Sequence, residues 1–442
     1  MRPDPLPQNV IIQPMNTRRK TNRAPWFILG VLLALLAAGI LLAVPPIRQS
    51  AGYYWNELRV KVRYALNPPE EAVFIPQVVT PLPSATPSPT PAATFTATPT
   101  PQATNTPAPT ATPLPVSVSL SGFRYITQHG LWNYCAPSNL AMALSFWGWT
   151  GDRLDTGHYL KPFEEDKNVM PYEMVNYVED MTDLKVALRS GGTPDLLKLL
   201  IANGYPVLVE KGAYIKDYTG KLGWMGHYNY LTAYDDSAQQ FLAQDSYFTP
   251  DYPVPYATLE QEWVSFNYVY LVIYPPADET KVMALLGDQA DATRAEQDAL
   301  ETADNQTVTA SGVDLFFAWF NRGSSLVKLQ DYAGAAGAYD QAFTVYQNLP
   351  TEERPWRMMW YRTGPYFAYF YSGRYQDVIN LADTTLERVD KPYLEESWYW
   401  RAKAKAALGD ITGAIEDYQT AVQYHPGFAP AVQDLQTLGV NP

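Results

Sequence analysis

The chain contains one cysteine, Cys135, in a position that suits a nucleophile. A turn-rich segment precedes it, and Pro137 lies in a run that predicts the first turn of a helix. The dipole at a helix N-terminus stabilises a thiolate, and the free backbone amides there can donate to an oxyanion. The alternative is a buried structural cysteine, because a lone thiol often serves as a small apolar side chain.

A thiolate nucleophile needs a general base and a group that orients this base. His227 lies at the start of one predicted strand, and Asp245 lies at the end of the next. The turn between them contains Asp235 and Asp236, so the two strands predict a hairpin. The hairpin would bring His227 and Asp245 side by side, whereas Asp235 and Asp236 are explained by the turn itself.

The remaining histidines show no pattern of catalysis or metal binding. His129 and His158 are predicted to be solvated loop residues, and His425 lies in the C-terminal region. The chain has no His-Glu-x-x-His motif and no paired cysteines. We therefore predict no metal site and no cofactor.

Four elements of the sequence, in this order, resemble cysteine peptidase family 39 and its stand-alone relatives: Gln128, the Cys135-Ala136-Pro137 run, His227 and Asp245. That family has the α+β papain-like fold and is best known from bacteriocin-processing peptidases. The resemblance implies that Cys135 is the nucleophile, His227 the general base and Asp245 the orienting group. It also implies that Gln128 and the Cys135 amide form the oxyanion hole. Ala136 stands where family members commonly have Gly, a departure that removes no catalytic atom.

Two further passages fit the same resemblance and bound the domain at residues 117–276. Residues 193–210 predict a helix, a Gly and a buried strand, and residues 263–275 predict a closing strand. A polar, helix-prone connector follows at residues 277–309.

Residues 310–440 predict an all-α tetratricopeptide-repeat solenoid. Aromatic and small residues recur there at the spacing that lets antiparallel helices approach closely. Such repeats usually bind peptide or protein segments, and the alternative is a packing platform for the first domain. The three copies are centred on Trp319 with Gly323 and Tyr339, on Tyr369 with Gly373, and on Trp398 with Gly409, Ala414 and Tyr418.

The N-terminal part of the chain predicts a membrane anchor. Residues 26–44 are uncharged and apolar, and as a helix they would span a hydrocarbon core. A short basic cytoplasmic tail, residues 1–25, precedes them, and a juxtamembrane segment, residues 45–78, follows. Residues 79–116 are rich in Pro and Thr, so they predict a disordered extended stalk. The alternative for residues 26–44 is a buried core helix, and the alternative for the stalk is a linker between domains inside the cell.

The charge distribution argues against nucleic acid as a partner. Residues 1–71 hold 9 Lys and Arg against 4 Asp and Glu, and the rest of the chain holds 23 against 41. A region with a net charge of −18 and no cluster of cations is poorly suited to contact phosphates.

Together these features predict a single-pass membrane protein with extracellular C-terminal domains that hydrolyses peptide bonds. Its expected partners are a peptide or protein substrate, a protein bound by the repeats, and the membrane through residues 26–44. Two alternatives stay open: a catalytically inactive papain-like scaffold, and an amidase that transfers the acyl group.

Overall fold

In a computed structural model of the protein, residues 58–66, 68–77, 113–216 and 222–442 are described. The predicted tail at 1–25, the predicted membrane span at 26–44 and most of the predicted stalk lie outside these residues. Within the described ranges, no helix combines the length and apolar character needed to cross a membrane.

An antiparallel sheet of seven strands organises residues 117–276, which we call the sheet domain. Its order is β2-β7-β3-β4-β5-β6, and β1 pairs with the end of β4. The strands are β1 Ser117–Ser119, β2 Lys185–Arg189, β3 Val207–Lys216, β4 Leu222–Asp235, β5 Gln240–Gln244, β6 Tyr252–Pro255 and β7 Tyr270–Tyr274.

Helices cover both faces of this sheet. Along β3, Val207 and Val209 pack into one apolar core and Leu208 into the other, because successive side chains of a strand point to opposite faces. This two-sided burial explains the uninterrupted apolar run in β3 and confirms the predicted combination of sheet and helices. The helices are α1 Cys135–Phe146, α2 Arg153–Leu160, α3 Pro171–Met181, α4 Pro194–Ala202 and α5 Tyr256–Trp263.

Strand β4 begins earlier than the sequence predicted. It starts at Leu222, so His227 lies within the strand and not at its start. The first part of β4 pairs with the end of β3, where Gly226 lies opposite Gly212. Glycines lack the side chains that produce an alternating pattern, so this half of the strand was not visible in the sequence.

The C-terminal region is all helical, as predicted. Two helices, α6 Glu279–Leu286 and α7 Ala292–Thr309, form the connector, and helix pairs stack after it. At Gly323 of the first pair, a Cβ atom would lie 2.7 Å from the ring of Tyr339, which shows why a small residue is needed there. These helices are α8 Gly312–Lys328, α9 Tyr332–Asn348, α10 Met358–Tyr361, α11 Gly364–Tyr371, α12 Tyr375–Arg388, α13 Glu395–Ala407, α14 Ile411–Tyr424 and α15 Ala429–Thr437.

The repeats and the sheet domain share one apolar core. Trp224 of β4 stacks on Phe266 with ring centroids 5.7 Å apart, and both join a cluster that includes Phe317 of α8. Tyr361 of α10 packs edge-on against Trp224. The repeats therefore provide a packing platform for the sheet domain, which is the alternative that the sequence left open.

Candidate active site

Cys135 is the first residue of α1 and is half-buried. The chain enters the helix through Asn133, whose φ of 49° lies in the left-handed region that Asn tolerates better than most residues. Pro137 lies in the first turn, where its missing N–H costs no intrahelical hydrogen bond. The thiol is thus held at a helix N-terminus, as the sequence predicted.

His227 and Asp245 lie side by side in the interior. The His227 Nε2 atom is 3.0 Å from Asp245 Oδ1, and both side chains are almost fully buried. Asp245 follows β5 directly, and its Oδ1 also accepts hydrogen bonds from the backbone N–H groups of Tyr247 and Phe248. Asp245 thereby fixes the ring through Nε2, which leaves Nδ1 to face the Cys135 thiol, and the charge of His227 acts on that thiol.

Asn229 is a further contact of Asp245 that sequence reasoning missed. It lies two residues after His227, so both side chains point to the same face of β4. Its Nδ2 donates to Asp245 Oδ2 over 2.7 Å, and its side chain is fully buried. The signal was available, because a polar side chain on the buried face of a strand normally has a specific partner.

The electrostatics of these three groups favour an ion pair. Burial lowers the pKa of His227, but the charge and hydrogen bond of Asp245, together with Cys135, raise it to about 9. Burial raises the pKa of Asp245, yet His227 and the backbone donors hold it well below its ordinary value. Burial also raises the pKa of the Cys135 thiol, but hydrogen bonds and the charge of His227 lower it overall. The arrangement therefore favours a thiolate beside an imidazolium.

Gln128 is oriented by a chain of buried polar groups. Its Oε1 accepts from Ser246 Oγ over 2.8 Å, and Ser246 Oγ accepts from Asn139 Nδ2 over 2.9 Å. Asn139 also donates to the carbonyl oxygen of Cys135 over 2.9 Å. Because the Gln128 oxygen is occupied, its Nε2 is the end of the amide that can donate to an oxyanion. Ser246 and Asn139 carried no motif that singled them out in the sequence.

Two buried ionisable groups near Cys135 were also missed. Lys161 is buried, donates to the Trp132 carbonyl oxygen and, mainly through burial, has its pKa lowered to about 8. Glu210 is buried on β3, and burial followed by the charge of Cys135 raises its pKa well above the ordinary value. Burial and Cys135 thus favour the neutral form of Glu210, and the charge of Lys161 acts on Cys135.

Other titratable candidates stay outside this arrangement. His129 is exposed, and its Nε2 lies 2.6 Å from the Tyr247 carbonyl oxygen. His158 is exposed as predicted, but on α2 and not in a loop. Asp235 accepts from the N–H groups of Ser237 and Ala238, so it caps the turn as expected. Among the described residues, one group has a metal-ligand geometry: Asp166, Glu395 and His425.

A segment preceding the predicted stalk, residues 68–77, lies against the helices α9, α11 and α12. Phe74 is buried, with its ring centroid 4.9 Å from that of Phe343. The Gln77 N–H donates to Asp377 Oδ1 over 2.9 Å, and Arg374 donates to the Gln77 carbonyl oxygen over 3.3 Å. Apolar contacts and backbone hydrogen bonds together are how a repeat protein holds a peptide. Here that peptide is part of the same chain.

Two regions of the chain match known protein families. Residues 120–271, about one third of the chain, match the Peptidase_C39 like family, and residues 396–427 match the tetratricopeptide repeat. A solved structure described as a C39-like peptidase from Bacillus anthracis matches with 19% identity and a TM-score of 0.30, over 36% of this chain and 96% of that chain. Among curated proteins, none matches. The chain thus contains a peptidase C39-like domain and a tetratricopeptide repeat.

Proposed function

We propose that this C39-like domain is a cysteine peptidase in which Cys135, His227 and Asp245 form the catalytic triad. The observation that carries the proposal is the 3.0 Å contact between His227 and the buried Asp245, together with the charge of the same ring acting on the Cys135 thiol. A base held by a buried carboxylate beside a thiol at a helix N-terminus is the arrangement that nucleophilic acyl transfer requires.

The first half of the reaction forms an acyl-enzyme. The Cys135 thiolate attacks the carbonyl carbon of the peptide bond, and the carbonyl oxygen becomes an oxyanion. Gln128 Nε2 and the Cys135 backbone N–H donate to this oxygen. The His227 imidazolium then gives its proton to the leaving amine as the C–N bond breaks.

The second half restores the enzyme. Neutral His227 takes a proton from water, and the resulting hydroxide attacks the thioester carbonyl carbon. The second tetrahedral intermediate collapses with cleavage of the C–S bond, releasing a carboxylic acid. The Cys135 thiolate and the His227 imidazolium are regenerated. Asp245 stays ionised throughout, and its role is to orient and stabilise the imidazole ring.

Exposed aromatic rings beside His227 suggest a preference for apolar substrate side chains. The Tyr247 ring centroid lies 6.4 Å from that of His227 and 5.1 Å from that of Phe248. Both rings are partly exposed, although large aromatic side chains usually bury most of their surface. We place a substrate side chain against this pair of rings.

The placement outside the membrane and the role of the repeats are part of the same proposal. The apolar run at 26–44 supports an anchor, and the Pro/Thr-rich run at 79–116 supports an extended stalk outside the cell. The repeats would recruit a protein substrate or partner. At the surface now contacted by Phe74, such a partner has to compete with the chain's own segment.

The first test is the rate of Cys135 alkylation by iodoacetamide against pH in the purified full-length chain. Wild type should react quickly at pH 6, and His227→Ala should slow the reaction because the imidazolium that stabilises the thiolate is lost. His158→Ala, at an exposed site on α2, serves as the matched control and should react like wild type. Slow alkylation with an ordinary thiol pKa of about 8.5 in all three proteins would refute the triad and favour an inactive scaffold.

The second test separates hydrolysis from acyl transfer. Wild type and Cys135→Ala are incubated with a mixture of peptides containing apolar residues, with and without an added primary amine, and the products are identified by mass spectrometry. Hydrolysis predicts free carboxylic acids that require Cys135. Amide products that dominate when the amine is present would contradict the peptidase proposal and indicate a transferase.

A further inference from the structure

Three side chains from distant parts of the chain meet at the border between the sheet domain and the last repeat. Asp166 lies in the loop between α2 and α3, Glu395 begins α13, and His425 follows α14. One potential ligand atom from each lies within 4.8 Å of the other two. We call these three residues the Asp166 cluster.

The distances in the Asp166 cluster fit a shared metal ion better than hydrogen bonds. His425 Nδ1 lies 3.4 Å from Glu395 Oε1 and 3.7 Å from Asp166 Oδ2. The buried His425 Nδ1 and Asp166 Oδ2 atoms make no hydrogen bond. Ligand atoms about 2.1 Å from a tetrahedral metal are about 3.4 Å apart, so two of the three separations are close to that value.

Asp166 gives an independent indication of a ligand. Its side chain is only 2% exposed, yet Oδ2 has no hydrogen-bond partner and points into the Asp166 cluster. A buried carboxylate oxygen that makes no hydrogen bond carries a desolvation cost, which a bound cation would offset.

Further ionisable groups surround the Asp166 cluster. Glu173 and Glu396 are mostly buried and interact electrostatically with Glu395. Lys161 and His425 are the positive groups that act on Asp166.

From this geometry we infer that Asp166, Glu395 and His425 bind one divalent transition-metal ion of the Zn²⁺ type. An imidazole nitrogen with two carboxylate oxygens is a ligand set that suits Zn²⁺, whereas Ca²⁺ and Mg²⁺ prefer sites built from oxygen alone. The inference does not depend on the proposed peptidase activity.

The metal would fasten the last repeat to the loop that borders Cys135. The Asp166 carbonyl oxygen accepts a hydrogen bond from Asn133 Nδ2 over 3.1 Å, two residues before the nucleophile. Lys391 pairs with Glu165 over 2.7 Å beside it, so the same border already carries an ion pair. Metal binding should therefore raise the thermal stability of the protein.

The test measures Zn²⁺ binding to the full-length chain in a Cys135→Ala background, because the thiol and His227 could themselves bind Zn²⁺. After dialysis against a chelator, calorimetric titration with ZnCl₂ should show one site with a Kd of ~1 µM or tighter. Asp166→Asn and His425→Gln should each weaken binding at least about 100-fold and abolish the rise in Tm on adding Zn²⁺. His158→Gln, at an exposed position, should bind like the parent.

Two results would overturn the inference: no binding of Zn²⁺ by the parent, or unchanged affinity in both ligand variants. Circular dichroism shows whether each variant folds. If neither folds, Co²⁺ added to the parent decides: visible d–d absorption typical of a four-coordinate nitrogen and oxygen site supports the proposal, and a spectrum of aqueous Co²⁺ refutes it.

Discussion

Replacement of Asp245 by Asn tests the electrostatic design of the candidate active site. The substitution keeps the shape of the side chain and an oxygen that can accept from His227, but it removes the negative charge. Asp245 is the largest contribution that raises the His227 pKa from 6.5 to about 9, against the opposing effect of burial. Without the charge we expect the His227 pKa to fall by about 2 units, which corresponds to about 3 kcal/mol. Both groups are almost fully buried, so solvent screens little of this interaction.

The pH dependence of peptide hydrolysis reports this change. In wild type, kcat/KM should rise as the thiolate forms and decline as the His227 imidazolium is lost at about pH 9. In Asp245→Asn the declining limb should move to about pH 7. Asp235→Asn is the matched control, because Asp235 only caps the turn between β4 and β5. A declining limb that stays near pH 9 in Asp245→Asn would show that Asp245 does not set the charge state of His227.

The same pair predicts how stability depends on pH. The folded-state pKa of His227 is raised, so its stabilising contribution is complete below about pH 6.5 and is lost as the pH rises through about 9. The folded-state pKa of Asp245 is lowered, so its contribution is present above its ordinary value of 3.8 and is lost at lower pH. The difference in unfolding free energy between wild type and Asp245→Asn should therefore be largest between these limits. Urea denaturation at a series of pH values measures it.

Three further substitutions test other parts of the structure. Gln128→Ala should lower kcat/KM by about 10²-fold to 10³-fold, because an oxyanion donor is lost. The rate of alkylation by iodoacetamide should stay close to that of wild type. A parallel loss of activity and alkylation rate would contradict the role assigned to Gln128. Phe74→Ala should destabilise the protein by about 3 kcal/mol in urea denaturation, whereas Ile75→Ala, at a side chain that is 68% exposed, should have little effect. Gly226→Ala should cost about 1–3 kcal/mol, because a Cβ atom there would lie 2.8 Å from the Phe266 ring, while Gly337→Ala on open helix surface should be neutral or stabilising.

Local sequence signals were enough to predict the candidate triad residues and the elements that carry them. Cys135 was recognisable because helix starts have a clear pattern in the chain, and His227 and Asp245 because a hairpin needs only two strands and a turn. The helical repeats were visible because aromatic and small residues recur at a fixed spacing. Each of these patterns lies within a few residues or within one repeat, so it can be recognised without the tertiary structure.

The supporting polar groups of the site were not predictable in the same way. Asn139, Ser246 and Asn229 each contribute to the site through a hydrogen bond to a partner on another element. Their hydrogen bonds to other elements join residues that are 16 to 118 positions apart. A polar residue in isolation does not indicate which backbone or side chain will satisfy it.

The sequence by itself determined which residue types are available for catalysis. It also located α1, α4, the strands β3, β4, β5 and β7, and the helical C-terminal region. Only the tertiary structure decided what packs between these parts: the shared core of β4 and the repeats, the docking of Phe74, and the meeting of Asp166 with Glu395 and His425. The physical reason is that such contacts depend on complementary surfaces and charges that only folding brings together. The local sequence around each residue therefore does not predict them.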